Sequence, residues 1–187
     1  ANLILDMTGN TAATLIDGSK MTGNLTVTAY NAGMTVKGGE GNDTLSVDGS
    51  MTGVILTGGK GTDTFDVSKF DSLGKAGYAV TITDLTAGET IVFSGTGAEK
   101  FVSSKITLIS EASLESYVAE AAKVANAASA GTEDNIAWFQ YNNNTFVVQD
   151  VDSDGTFNTG DIIVKINGVK DLSTASFNAT DGTLEIA

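Results

Sequence analysis

Two similar nine-residue segments that begin 20 residues apart constrain the fold of this chain more than any other feature. The first reads GGEGNDTLS (residues 38–46) and the second reads GGKGTDTFD (residues 58–66). They share three glycines, an Asp, a Thr and a large apolar residue in the same order. Repeats of this length are typical of solenoids, in which each repeat is one unit that stacks on the next. The sequence therefore predicts a stack of coils, each about 20 residues long.

Each coil is predicted to contain two short strands rich in β-branched and large apolar residues, each preceded by a turn. Applying the 20-residue interval backwards aligns Leu45 with Leu25 and Leu5, and it aligns Gly38 with Gly18. Stacked coils bury the apolar side chains of both strands in a continuous column. The side chains expected in this column are Leu25, Leu45 and Phe65, facing Met34 and either Val54 or Ile55.

The glycines and the Asp of the repeat have separate physical roles. Tight turns with close backbone approach exclude a Cβ atom, and this favours glycine. Stacking places Asp43 above Asp63. Two carboxylates one coil apart repel each other unless a cation lies between them. The repeat therefore suggests a cation site, and the alternative is a metal-free solenoid with Gly-Asp turns.

Composition narrows the chemistry that these acids can serve. The 187 residues include 23 acidic and 10 basic side chains, a formal net charge of −13, with no His, Cys, Pro or Arg. The absence of His and Cys excludes the usual zinc site, a Cys nucleophile and a Ser-His-Asp triad. An acidic chain without Arg is a poor partner for nucleic acid. Carboxylates and carbonyls remain, and they are the ligands of hard cations such as Ca²⁺. A site for such a cation therefore remains possible. Because no cluster of acid, base and nucleophile can be assembled from the sequence, we expect that the chain is not an enzyme.

The repeat resembles GGxGxDxUx, with U a large apolar residue, which is the nonapeptide of RTX (repeats-in-toxin) proteins. The resemblance implies a parallel β-roll with Ca²⁺ between successive coils, bound by turn carbonyls and Asp side chains. Carried onto this chain, it assigns the carboxylates of Asp43 and Asp63 as ligands. The turn carbonyls that it assigns lie near Gly39, Gly41, Gly59 and Gly61.

The segment at residues 62–94 is similar to the sequence that closes the roll in secreted RTX proteases and surface-layer proteins. There, a DFxxGxDxIxL run contributes an acid to the last calcium, and this chain reads DLTAGETIVF. The resemblance makes Asp84 a candidate ligand that faces the Gly58 turn, although a surface acid beside a turn is the alternative. Glu89 stands where the family has Asp, and it is a further candidate.

One helix is predicted at about residues 112–129, where an Ala-rich stretch has apolar residues at helical spacing. Either Ser110 or Ser113 can cap its start, and Gly131 can end it. Its narrow apolar stripe indicates packing against a sheet.

An acidic loop at residues 150–161 matches the calcium-loop pattern DxDxDG with a carboxylate at the twelfth position. Strands rather than helices are expected beside it, so an EF-hand domain is excluded. These strands are predicted at residues 136–141 and 145–150, which form a hairpin, and at residues 162–167. A metal-free glycine loop is the alternative. The candidate ligands are the side chains of Asp150, Asp152, Asp154 and Asp161 and the carbonyl of Thr156.

The chain from residue 136 to 187 is similar to the C-terminal end of RTX surface-layer and adhesin proteins. We therefore expect a mainly all-β protein, with a parallel β-roll at residues 1–94 and a β-rich capping domain with one α-helix at residues 95–187. The resemblance implies a type I secretion signal region in the second part and export by an ABC transporter. No run of 18 apolar residues exists, so no transmembrane segment is expected.

The expected function is the calcium-binding, assembly and secretion module of a bacterial surface-layer (S-layer) protein. Such a module folds outside the cell when Ca²⁺ binds, and it self-associates in a two-dimensional lattice on the cell surface. The alternatives are the secretion module of an RTX protease or lipase, and the cap of a type I-secreted adhesin.

Overall fold

The computed structural model describes residues 1–95, 97–128 and 135–187. Within these residues the chain forms two seven-stranded sheets. The first sheet has, in spatial order, β1 (Leu3–Leu5), β3 (Leu25–Ala29), β5 (Thr44–Ser50), β7 (Thr64–Asp71), β9 (Thr90–Val92), β14 (Thr183–Glu185) and β13 (Ser176–Asn178). The second has β10 (Ile136–Tyr141), β11 (Asn144–Gln149), β12 (Ile162–Asn167), β8 (Val80–Ile82), β6 (Ile55–Thr57), β4 (Thr35–Lys37) and β2 (Leu15–Asp17).

The first half of the chain winds as a parallel solenoid, because successive strands alternate between the two sheets. In the first sheet β1, β3, β5, β7 and β9 are parallel neighbours. In the second sheet β2, β4, β6 and β8 stack in the same way. The prediction of a mainly β fold with a parallel roll and one helix is therefore confirmed.

The second half of the chain extends both sheets. In the second sheet β12 joins β8 in parallel, and β11 and β10 follow as antiparallel strands. In the first sheet β14 pairs antiparallel with β9, and β13 pairs with β14. Strand pairing therefore continues across the expected domain boundary at residue 94. The predicted hairpin and the strands on both sides of the acidic loop are confirmed.

The 20-residue interval holds in only part of the solenoid. Leu45 pairs with Phe65, as expected. However, Leu45 pairs with Val27 rather than with Leu25, and Leu25 pairs with Leu3. The expected alignment of Leu45 with Leu25 and Leu5 is therefore wrong.

Turn length explains this slip. Asp17 and Lys37 are paired positions in the second sheet, and Thr26 and Thr44 are paired positions in the first. The path from Asp17 to Thr26 is two residues longer than the path from Lys37 to Thr44. The degenerate first coil therefore shifts the register on one sheet, and it keeps the 20-residue interval on the other.

The expected interior residues are buried despite this slip. Leu25, Leu45, Phe65, Met34 and Val54 are each at most 1% exposed. Ile55 is 37% exposed, so the structure selects Val54 as the inward residue. The same hydrophobic core extends from Met7 in the first coil to Ile186 near the C-terminus.

The helix α1 spans Leu114–Ala127 and packs on the outer face of the second sheet. Ser113 caps its start, and its side chain accepts a hydrogen bond from the backbone N–H of Ser116 at 3.2 Å. Tyr117 stacks on Phe139 of β10, with ring centroids 5.1 Å apart. The proposed stop, Gly131, lies outside the described residues. Among the described residues, no helix has both the length and the apolar character that crossing a membrane requires.

Candidate metal centres

Asp43, Asp63 and Glu89 form one column in the first sheet. They immediately precede β5, β7 and β9, and the threonines that follow them are paired across the three strands. All three acidic residues are buried. Glu89 therefore occupies the place of the repeat Asp in the last coil, although the loop before it is longer.

The two Asp carboxylates of this column have different partners. Asp43 Oδ1 accepts the N–H of Leu25 at 2.7 Å, and its Oδ2 accepts the N–H of Gly39 at 2.6 Å. Asp63 Oδ1 accepts the N–H of Asp43 at 2.8 Å. Its Oδ2 is buried and has no hydrogen-bond donor among the described residues. Both carboxylate oxygens of Asp43 therefore accept a hydrogen bond, whereas only one oxygen of Asp63 does.

Asp84 explains this difference. By analogy with Asp43, the N–H of Gly59 would bind Asp63 Oδ2. Instead, it donates to Asp84 Oδ2 at 2.9 Å, and the N–H of Gly58 donates to Asp84 Oδ1 at 2.9 Å. The structure thus places Asp84 against the Gly58 turn, where the sequence placed it. Its metal role stays a prediction.

The charges of Asp63, Asp84 and Glu89 consequently act on one another at the last coil of the solenoid. Burial raises the pKa of Asp63 to about 6, and the charges of Asp43 and Asp84 act in the same direction. Burial raises the pKa of Glu89 to about 7, with Asp63 and Asp84 adding to the effect. Asp63 and Glu89 are close enough to hydrogen-bond when one of them is protonated. The raised pKa values of Asp63 and Glu89 show that burial and neighbouring charges disfavour their ionised forms.

The repeat glycines allow the turns to stack. Gly59 and Gly61 have φ values of +103° and +112°. A Cβ on Gly59 would collide with the carbonyl of Gly39, and one on Gly61 would collide with the carbonyl of Gly41. The Gly39 carbonyl also accepts the N–H of Lys60 at 2.8 Å. These glycines therefore have a structural role, whether or not their carbonyls bind a metal.

Sequence reasoning missed a ladder of Asn side chains beside this column. Asn2 Oδ1 accepts the N–H of Asn24, Asn24 Oδ1 accepts that of Asn42, and Asn42 Oδ1 accepts that of Thr62, each at 3.0 Å. The signal was present, because Asn24 and Asn42 lie 18 residues apart and follow the true register of the first sheet.

The acidic loop between β11 and β12 forms the second centre. Carboxylate oxygens of Asp150, Asp152 and Asp154 all lie within 4.8 Å of one another. Asp150 is buried, whereas Asp152 and Asp154 are exposed. This cluster could hold a metal ion.

Hydrogen bonds organise the loop around one unpaired oxygen. Asp150 Oδ2 accepts the N–H of Gly155 at 2.9 Å, whereas its Oδ1 is buried without a partner among the described residues. Asp161 closes the loop, because its carboxylate accepts the N–H groups of Val151 at 2.8 Å and Asn158 at 2.7 Å. The N–H of Thr156 donates to Asp154 Oδ1 at 2.6 Å.

Asn158 is a residue of this loop that sequence reasoning did not select. Its Nδ2 donates to Asp152 at 3.2 Å and to Asp154 at 2.9 Å. It therefore holds the two exposed carboxylates beside the buried one. Its position, ninth in the loop, could have drawn attention, because side chains at that position often contact calcium through water.

The electrostatics of the loop match those of the first centre. The pKa of Asp150 is raised to about 6, chiefly by burial, and the neighbouring charges of Asp152 and Asp154 contribute to this rise. Burial raises the pKa of Asp161 to about 7, with Asp150 and Asp152 contributing. Negative charge therefore accumulates here without a described basic partner, and a cation would relieve it.

The comparisons with known proteins give no relative that bears on these centres. No protein-family model matches the chain, and no curated protein matches it significantly.

Proposed function

We propose that this chain is a structural calcium-binding module whose folded state is stabilised by Ca²⁺ at the acidic loop. The observation that carries the proposal is Asp150 Oδ1, a buried oxygen without a donor in a cluster of three carboxylates. Leaving such an atom unpaired is costly, whereas a bound cation would satisfy it.

Calcium is the cation that these ligands favour. The loop offers only oxygen atoms, and it has the length of loops that bind Ca²⁺ through side chains and one backbone carbonyl. In this proposal Asp150, Asp152 and Asp154 bind the ion with the carbonyl of Thr156. Asp161 contributes to the binding or closes the loop from its hydrogen-bonded position.

A second calcium ion is proposed at the end of the solenoid. Asp63 Oδ2 is the other unpaired buried carboxylate oxygen of the described residues. The carboxylate of Asp63 is within hydrogen-bonding reach of Glu89, and the charge of Asp84 acts on it. Asp43, which the repeat also marks, stays a predicted ligand of this site, and each of its two oxygens accepts a backbone N–H group.

We further propose, because the repeat resembles that of RTX proteins, that this calcium binding serves a protein of a bacterial surface layer. Extracellular modules bind Ca²⁺ with dissociation constants of roughly 10⁻⁴ to 10⁻³ M, so such a chain would stay unfolded in the cytosol. A type I exporter would then carry it outside, where Ca²⁺ drives folding. Each site contributes about 2.7 kcal/mol when Ca²⁺ is in hundredfold excess over Kd.

Thermal unfolding of matched variants tests the calcium proposal. Millimolar Ca²⁺ should raise the Tm of the wild type well above its value in EGTA. Asp150→Asn should lose a large part of this gain, because the variant keeps the shape of the loop and removes a ligand charge. Asp171→Asn is the control, since Asp171 is exposed and accepts a local N–H of Ser173. Equal Tm values in EGTA and Ca²⁺ for the wild type would refute the proposal.

Lattice formation requires a separate experiment. Electron microscopy of the protein at millimolar Ca²⁺ should show ordered two-dimensional arrays that EGTA disperses. A monomer at high Ca²⁺, established by sedimentation, would contradict the proposal that this chain assembles by itself. That result would leave the calcium proposal intact.

A further inference from the structure

We propose that Asp71 is a positioning residue that fixes the acidic loop against the solenoid and thereby raises its affinity for Ca²⁺. The inference rests on the calcium function proposed for the loop. Asp71 is the last residue of β7 and lies outside the loop. Its Oδ1 accepts the N–H groups of Leu73 at 2.7 Å and Gly160 at 2.9 Å, and its Oδ2 accepts the hydroxyl of Ser50 at 2.9 Å. One carboxylate therefore joins β5, β7 and the loop.

Ser72 makes a second connection to the same part of the loop. Its backbone N–H and its hydroxyl donate to the carbonyl of Asp161 at 3.0 Å and 2.7 Å. Ser72 is fully buried. Gly74 lies so close to Asn158 that a Cβ on this glycine would approach the Asn158 Cα within 2.8 Å. The segment 71–74 therefore contacts the final third of the loop along its length.

These contacts hold the residue that closes the loop. The Asp161 carboxylate accepts the N–H groups of Val151 and Asn158, so it draws the two ends of the loop together. Asp71 and Ser72 fix the backbone of Gly160 and Asp161 from outside. The Asp71 carboxylate already accepts three hydrogen bonds, and we therefore assign it a positioning role rather than a ligand role.

Preorganisation gives this positioning its effect on affinity. A loop held in the binding conformation loses less conformational freedom when the cation arrives. Partners that orient the ligands of a metal, without touching it, typically change metal affinity by about 10- to 100-fold when they are removed. Gly160 and Asp71 are 89 residues apart in the sequence. Their hydrogen bond therefore also links calcium binding to the packing of the acidic loop against the solenoid.

Isothermal titration of the full chain with CaCl₂ tests the proposal. The site of interest is the one that Asp150→Asn abolishes. Asp71→Ala removes the acceptor of Leu73 and Gly160 and should raise the Kd of that site by about 10-fold or more. Asp66→Ala is the matched control: Asp66 lies on the same strand and accepts the N–H and hydroxyl of Ser68, two residues on. The control should leave the Kd of that site unchanged.

Ser72→Ala provides a second variant, because it removes one of two hydrogen bonds to Asp161 and keeps the backbone bond. It should raise the Kd in the same direction by a smaller factor. If Asp71→Ala lowers the Tm equally in EGTA and in Ca²⁺ and the Kd stays at the wild-type value, Asp71 has a purely structural role and the proposal is overturned. Failure of the calcium function itself looks different, because the wild type would then show no binding that depends on Asp150.

Discussion

Asp43 and Asp63 occupy equivalent positions in successive coils, and yet the surroundings of their carboxylates differ. Asp43 accepts two backbone N–H groups, whereas Asp63 accepts one and leaves Oδ2 unpaired. The donor that Asp63 lacks is bound by Asp84. The number of available N–H donors, rather than the residue type, therefore decides which buried acid of the repeat keeps an unpaired oxygen.

The buried acids predict an unusual dependence of stability on pH. The pKa values of Asp63, Glu89, Asp150 and Asp161 rise to about 6 or 7 in the folded protein, from 3.8 for Asp and 4.5 for Glu. The folded state then binds more protons than the unfolded state between pH about 4 and 7. In EGTA, the free energy of unfolding should therefore decrease as pH rises through this window. Urea denaturation at several pH values measures this decrease in the free energy of unfolding.

Glu89→Gln is the informative variant for this pH dependence, because Glu89 has a raised pKa of about 7 and its amide substitute cannot titrate. The variant should show a flatter decrease of stability between pH 5 and 7.5. Surface acids such as Asp6 and Asp17 have lowered pKa values, so their contribution appears only in more acidic solution. A free energy of unfolding that rises with pH between 5 and 7.5 in EGTA would contradict the assignment of raised pKa values.

The sequence predicted which acidic residues lie at the candidate centres, and it missed the residues that hydrogen-bond beside them. Asp63, Asp84 and Glu89 were predictable because the repeat and its closing segment mark them. The Asn ladder escaped because its three Asn residues are 22 and 18 residues apart, rather than 20. Asp71 escaped because its partner Gly160 lies 89 residues away, and no local pattern connects the two.

The glycine turn is the element on which coil stacking depends. Gly59 combines a positive φ of +103° with a close approach to the Gly39 carbonyl. Substitution by Ala should therefore combine backbone strain of about 1–2 kcal/mol with overpacking of about 1–3 kcal/mol. Urea denaturation of Gly59→Ala should show this loss.

Alanine variants of two other glycines distinguish the backbone strain from the overpacking in the stability loss of Gly59→Ala. Gly88 has a φ of +85°, and no atom lies within 4 Å of the position that a Cβ would take there, so Gly88→Ala should lose only the strain energy. Gly77 has neither a positive φ nor a close neighbour, and Gly77→Ala should leave stability nearly unchanged. Equal losses in Gly59→Ala and Gly88→Ala would show that the turns do not stack as closely as described.

Elements with a strong local pattern were predicted well. Residues 136–141 and 162–167 form strands with the expected bounds, and the helix begins within two residues of its expected start. The register of the first coils was not predictable from the interval alone. The turn of the degenerate first coil contains two extra residues. The spacing of the repeats does not show in which of the two sheets these residues change the strand register.

At the scale of the whole molecule, the solenoid and the C-terminal strands share both sheets. The parallel strands of the second sheet end with β12, and those of the first sheet end with β9, to which β14 pairs antiparallel. One hydrophobic core joins Met7 to Ile186 and includes Trp138. The unsatisfied carboxylates lie at both ends of β7, since Asp63 precedes the strand and the loop packs on Asp71 and Ser72 behind it.

This continuity predicts that the chain unfolds as one cooperative unit. Leu45 is fully buried in the solenoid, and Leu45→Ala should cost about 2–5 kcal/mol. Trp138, the single Trp of the chain, lies buried on β10 in the C-terminal half. Its fluorescence should therefore report the same lower midpoint as far-UV circular dichroism, because destabilising the solenoid destabilises the sheet around Trp138. Val169→Ala, at a residue 62% exposed, is the control and should leave both midpoints in place. If Leu45→Ala shifted the dichroism while the Trp138 transition stayed at its wild-type midpoint, the two halves would be separate folding units despite their shared sheets.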